Sequence, residues 1–427
     1  LKVVSMLDNI DREIAEALTT NILYRNGLIP NTTLLSEFNN CIDLQIDFQT
    51  AISNGGFNAI FSNPPYYLLK ANKDNDLSKV DHFKILQNKI KREITFFKNS
   101  NFYHYSIEGM LNYYKLSIEM ILNLTKPKGQ IGIICPASIF GDMSSSKLRK
   151  HLLSNNKLKF IRYYPEKADL FNNIAQSTVI FYLEKGGITD NVEIEFKEDL
   201  FTISYATILS LFRKNLEIPL IDKIGWNILL KLNKHQRLKN ISFLRNRRGE
   251  LDLSLYKDCI MKDQRSDYRL VRGNMISING IVDKNNECVD IDVFLNKKSD
   301  DYKSNDFNKK RLICQQISNI DLEKRLRFVY SNEKDIIGNS CNYITSLRSS
   351  EDLDKLFYLL NSKLLNWRFK VTSSNNHVNN YELDDLPIID LESIHVDMFN
   401  KDIDENEIII CRLYGLNQEE INYILQK

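Results

Sequence analysis

At 427 residues, 43% of them hydrophobic and 26% charged, the chain has material for two or three packed domains. No run of eighteen apolar residues occurs and the ends carry no signal-like or lipidation segment, so neither a membrane span nor a membrane partner is expected. A net charge of +2 excludes a uniformly basic polyanion binder, and a nucleic acid would have to be met by a local patch.

The opening, LKVVSMLDNIDREIAEALTTNIL, reads as a strand from Val3 to Leu7, an acidic loop, and an amphipathic helix with Ile14, Ala17, Leu18 and Ile22 on one face. A second short strand is expected around residues 41–44, ending near Asp43. The third, FNAIFS at 57–62, reads as a buried strand that Pro64 and Pro65 must stop, because adjacent prolines cannot donate to a ladder. The lysine-rich stretch 70–100 is expected to be partly helical. A helix across MLNYYKLSIEMILNL puts Leu111, Tyr114, Ile118, Ile121 and Leu122 on one face, stopped by Pro127 and Gly129. Strand QIGIICPASIF, helix SSSKLRKHLLS and strands LKFIRYYP and STVIFYLEK follow. This alternation predicts an α/β domain with a mostly parallel sheet covered on both faces.

Beyond about residue 200 the texture turns to short β-rich pieces with polar turns, and a boundary is expected between 187 and 220. One helix is predicted across SEDLDKLFYLLNSKLLNWRFK, with Leu353, Leu356, Phe357, Leu360 and Leu364 in a stripe. A polar segment, VTSSNNHVNNYELDDLPII, follows it. The seven cysteines form no CxxC pair. That argues against a disulfide framework or a metal site, and for reduced thiols in a cytoplasmic protein.

The order of acidic loop, Asp-bearing loop, FNAIFSNPPY, NYYKLSIE, GQIGIICPASIF and DLFNNIAQSTVIFYLEK resembles the amino-methylating DNA methyltransferases. More narrowly it is similar to the adenine-specific branch with a C-terminal specificity domain, as in the TaqI and Eco57I-like enzymes of restriction-modification systems. Asn58 departs from the usual Asp of that motif. The resemblance implies a Rossmann-like, S-adenosylmethionine-dependent methyltransferase sheet over residues 1–200, its first strand missing. A C-terminal α+β target-recognition domain over 201–395 and a helical tail over 396–427 complete the expected organisation.

Chemistry supports the same corner. An exocyclic amino group is a poor nucleophile while its lone pair is delocalised into the ring. Two acceptors, the Asn63 side-chain carbonyl and the Pro64 backbone carbonyl, can grip both amino hydrogens and free that lone pair, so positioning and electrostatics carry the catalysis. Pro65 stiffens the corner, and Tyr66 offers a ring to an adenine that must leave the duplex to be reached. A second stacking aromatic is expected at Tyr182, or else at Phe171.

On the cofactor side, the family's ribose-contacting acid falls on Asn9, flanked by Asp8 and Asp11, and Asn loses the charged bidentate grip of a carboxylate. Asp43 matches the adenine contact, with Asp47 as second choice. No Gly-rich loop precedes these positions, and residue 1 is Leu. The sequence therefore reads as starting inside the domain, and the resemblance predicts that this chain alone binds S-adenosylmethionine weakly or not at all; micromolar binding in a calorimetric titration would contradict it.

In the C-terminal half, Arg245, Arg247, Arg248, Arg269, Arg272, Lys310 and Arg311 are the candidate contacts to double-stranded DNA, most of them to phosphate. NRRG, read as a turn, is the first choice. His377 is expected to hydrogen-bond within its loop. A cognate restriction endonuclease is a further partner of such systems, and the sequence assigns no oligomeric state. Two other readings stay open: a methyltransferase acting on RNA or on protein glutamine through the same corner, and a DNA-binding specificity module with a degenerate methyltransferase fold.

Overall fold

A computed structural model of the chain describes residues 26–30, 41–42, 49–70, 80–166, 176–262, 266–284, 286–373, 376–399 and 402–427. The strand and helix expected before residue 25 lie outside them. The chain divides into two compact units. One takes in the stretch up to Ile139, Met143–Glu195 and Thr202–Ala206; the other takes in Phe140–Asp142, Phe196–Phe201 and Thr207–Lys427.

A six-stranded sheet organises the first unit. Its spatial order is Phe57–Ser62, Thr125–Pro136, Thr178–Lys185, Asn156–Tyr164, Asn191–Phe196 and Asp199–Ser204. Period-two alternation lines up the core: Ile131 opposes Leu183, Ile133 opposes Phe181 and Cys135 opposes Val179, all of them buried. Phe57–Ser62 runs parallel to Thr125–Pro136, with Ser62 opposite Ile133. Thr178–Lys185, in contrast, is antiparallel to both of its neighbours. The expected mostly parallel sheet is thus a mixed one. An apolar run packs equally well in either direction, so its pattern marks a strand without its polarity; an antiparallel return also needs no crossover helix.

Phe57–Ser62 is less buried than expected, with Phe61 76% exposed. Among the described residues it pairs on one side only. The helix Tyr113–Leu124 buries Ile118, Ile121 and Leu122, places Leu116 in a core cluster with Leu69, Ile90 and Phe97, and is capped by the Asn112 side chain. It ends before Pro127, at Thr125, which already starts the next strand. Gly129 sits where the strand register slips; a Cβ there would lie 3.0 Å from the Phe57 carbonyl oxygen.

The second unit contains two four-stranded sheets. In one, Leu244–Arg248, Cys341–Ser346, Leu312–Gln315 and Phe328–Tyr330 are all antiparallel. In the other, Ile260–Lys262, Glu287–Val289, Arg269–Val271 and Asp335–Ile337 stand in order, the last pair parallel. NRRG is therefore not a turn: its first three residues complete a strand. Gly249 then approaches the Gly338 backbone so closely that a Cβ would fall 2.0 Å from its carbonyl oxygen.

The single long helix expected after residue 350 is two, Ser350–Asn361 and Lys363–Thr372. Ser362 breaks it because its hydroxyl accepts from the Leu365 N–H at 3.2 Å, starting a new helix in place of continuing the old. The apolar stripe runs on across the break, which is why it reads as one helix.

Candidate active site

The strand ends at Ser62, and the next four residues alternate in exposure: Asn63 exposed, Pro64 buried, Pro65 exposed, Tyr66 half-buried. The Asn63 carboxamide, among the described residues, makes no hydrogen bond. The chain beyond is pinned to the start of the helix Tyr113–Leu124. Tyr113 N–H donates to the Tyr67 carbonyl and Leu69 N–H to the Leu111 carbonyl, both at 2.9 Å, and the rings of Tyr67 and Tyr113 stack with centroids 5.7 Å apart. The corner is held from both sides while its asparagine stays uncommitted.

Tyr66 meets the Tyr114 ring edge-on, centroids 6.5 Å apart, and the Tyr114 hydroxyl lies 3.4 Å from Ser138 Oγ. Burial, with a smaller contribution from the Cys135 thiol, pushes the Tyr66 phenol up to about 12. An unfolded chain's tyrosine ionises near ~10. Between those values the unfolded state has lost a proton that the folded state keeps, so stability falls as pH rises. Alkaline unfolding of Tyr66→Phe should lack this increment, and its phenolate absorbance should be undiminished from wild type at about pH 11.

Two charged residues inside NYYKLSIE, to which the sequence alone assigns no role, are both put to use by the fold. Glu119 is buried and accepts the backbone N–H groups of His104 at 2.6 Å, Tyr105 at 3.0 Å and Ser106 at 2.8 Å. Lys115, also buried, donates to Ser144 Oγ at 3.1 Å and to the Ser144 carbonyl at 3.3 Å. The available signal was a pair of charges four residues apart on an otherwise apolar helix. Glu119→Gln keeps the volume but turns an N–H donor toward amide donors. It should cost about 1–3 kcal/mol, read as a lower urea midpoint, with faster amide exchange confined to 104–106.

The structure does not bring Tyr182 to this corner. Because its strand runs antiparallel, Thr178 and not Tyr182 faces Pro136 at the carboxyl end of the neighbouring strand. The Tyr182 ring lies mid-sheet, opposite Gly132 and Phe160, with its hydroxyl donating to Gln130 and Lys159 5.7 Å from its centroid. Phe171, Asn9, Asp11, Asp43 and Asp47 lie outside the described residues.

Most of the cations expected to meet DNA are engaged within the second unit. Arg311 is removed from that set: its side chain is 1% exposed and paired with Glu250 at 2.8 Å. Arg245 and Arg247 share Asp301 at 2.9 and 2.8 Å, and Arg247 also holds Asp306 at 2.9 Å. These pairings hold the Asp301 carboxyl well below its usual range. Arg269 grips Asp335 at 2.9 Å and Arg272 grips Glu287 at 2.7 Å. Lys310 lies 3.0 Å from Asp354 and 4.0 Å from the centre of the Tyr330 ring. Arg248 remains exposed, its guanidinium donating to the Asn339 carbonyl at 3.0 Å. The loop bearing His377 joins the strand-like segment at Ile317: Ser318 N–H donates to the Asn376 carbonyl at 2.9 Å and Val378 N–H to that of Gln316 at 2.7 Å.

Comparison with known proteins finds two family models on the chain. Residues 4–171 match the Eco57I restriction-modification methylase family, and residues 273–388 match the TaqI-like C-terminal specificity domain. A Methanocaldococcus jannaschii protein described as a type II restriction enzyme and methyltransferase is 27% identical in an alignment of 259 positions that covers 52% of this chain and 19% of that relative's length. Among solved structures, the type IIL restriction-modification enzyme MmeI, in complex with DNA, is similar at 14% identity with a TM-score of 0.45, over 90% of this chain and 58% of MmeI. The type IIG restriction endonuclease BpuSI is similar at 14% identity with a TM-score of 0.36, over 87% of this chain and 49% of its own. Two family models thus match successive parts of the chain, an Eco57I restriction-modification methylase over residues 4–171 and a TaqI-like C-terminal specificity domain over residues 273–388.

Proposed function

We propose that the protein is a site-specific DNA methyltransferase that moves a methyl group from S-adenosylmethionine to the exocyclic amino group of adenine within a short recognition sequence. The observation that carries this reading is the exposed Asn63 carboxamide, without a hydrogen-bond partner among the described residues, on a corner stiffened by two prolines. Asn63 Oδ1 and the Pro64 carbonyl take the two amino hydrogens, and the nitrogen lone pair is thereby withdrawn from the ring. Tyr66, neutral at working pH, offers its ring to the extruded base.

The donor set fits the cofactor. The corner presents acceptors for an amino group and brings no nucleophile of its own, so the reaction calls for a methyl group that arrives already activated. S-adenosylmethionine, when bound, supplies that electrophilic methyl. Asn9, Asp11 and Asp43 are the residues proposed to hold it, and a cognate restriction endonuclease is the proposed partner of the system. The test is nucleoside analysis of duplex DNA after incubation of the full-length protein with labelled S-adenosylmethionine. Label in N6-methyladenine at one short motif supports the proposal. Label in RNA or protein, or in no product, contradicts it.

A further inference from the structure

The second unit holds an open cleft of about 790 Å³ lined by strand ends from both of its sheets. Its charge is positive: Lys262, Arg272 and Lys284 line it against Glu287. Arg272 and Glu287 neutralise each other at 2.7 Å. Lys262 and Lys284, both exposed, have no acidic partner among the described residues. In this they differ from Arg245, Arg247, Arg269, Lys310 and Arg311, each of which already has a carboxylate.

The same cleft is also lined by Gln315 and Ile317. The Gln315 carboxamide makes no hydrogen bond to the described residues, which leaves a donor and an acceptor free side by side. Ile317 is 64% exposed, and the backbone pairing of its segment with 376–378 keeps it in place at the lip. An unpaired cation needs an anion, a free carboxamide needs a planar group with a donor and an acceptor, and an exposed aliphatic side chain needs an apolar surface. Duplex DNA offers all three within one groove: phosphates, the paired N6 and N7 of adenine, and the thymine methyl.

We propose that this cleft is the surface with which the specificity domain reads duplex DNA. Lys262 and Lys284 contact phosphates, while Gln315 and Ile317 contact base edges. The assignment rests on the DNA reading above and narrows it to residues other than the arginines that the sequence suggested. Gln315 governs sequence choice; the two lysines govern affinity and its salt dependence.

The test is titration of the full-length protein into a labelled duplex over a series of salt concentrations, paired with sequencing of methylated motifs in cells expressing each variant. Replacing Lys262 and Lys284 together by Ala should lower the slope of log affinity against log salt by about 2, near one unit for each phosphate left without its lysine. Lys334→Ala, which removes a lysine already paired with Asp267 at 2.7 Å, should leave that slope unchanged. Gln315→Ala should keep methylation but relax the motif at one position, with a loss of discrimination of about tenfold or more. An unchanged slope in the double variant together with an unchanged motif in Gln315→Ala would overturn the assignment. Failure of the wild-type protein to bind any duplex would instead overturn the DNA reading beneath it, so the two failures are told apart.

Discussion

Asn63→Ala should reduce methyl transfer by about 10²–10³-fold, the loss seen when one preorganised hydrogen-bonding group is removed from a developing charge. The fold should not change, because the side chain is exposed and bonded to nothing among the described residues. The physical cause is specific. A nitrogen conjugated to a purine must give up that conjugation before it can attack, and a carbonyl on each amino hydrogen is what favours the change. With the Asn63 acceptor gone, the hydrogen it held is released, only the Pro64 carbonyl still grips the amino group, and the lone pair relaxes into the ring. The loss should fall mostly on kcat in single-turnover assays, with a smaller loss of duplex affinity of about tenfold, since the clamp touches the amino group on binding but acts mostly in the transition state. Equal losses in affinity and rate would mean that Asn63 serves binding alone.

Glu250→Ala should be strongly destabilising to the second unit. Arg311 Nη1 binds both Glu250 oxygens at 2.9 and 2.8 Å, and Glu250 also accepts the Ile337 N–H at 2.8 Å. Both side chains are withdrawn from solvent. Removing the carboxylate strands a guanidinium in the core, where an unpaired charge costs about 3–5 kcal/mol. Replacing the pair together, Glu250→Leu with Arg311→Met, should recover most of that loss, because the desolvation penalty disappears with both charges. Thermal unfolding of the full-length proteins checks this. A double variant no more stable than Glu250→Ala would show that the backbone bonds made by the pair, and not the stranded charge, dominate.

The corner could be read in the sequence because its signal is local: two prolines after an apolar run can only end a strand, and the asparagine beside them is conspicuous. The apolar positions of Tyr113–Leu124 and of the central strands were equally open, being set by periodicities of 3.6 and 2. What stayed hidden depends on residues far apart in the chain. Arg311 looks like a solvated cation until Glu250 is folded against it, and Arg245 and Arg269 likewise look free without Asp301 and Asp335. Strand polarity was hidden for a related reason, since TVIFYLEK presents the same alternation in both directions. The break at Ser362 turns on which way one hydroxyl points. Lys262, Lys284 and Gln315 stand out only by exclusion, once neighbouring polar groups have been assigned their partners.

The clamp can be tested by a thermodynamic cycle that crosses Asn63→Ala with deletion of the amino group it is said to hold. Duplexes carrying either adenine or unsubstituted purine at the target position would be titrated with wild-type and variant protein. If Asn63 touches the amino group, purine should weaken wild-type binding but not variant binding, leaving a coupling of about 1–3 kcal/mol. A coupling indistinguishable from zero would contradict the account, because the asparagine and the amino group would then act independently.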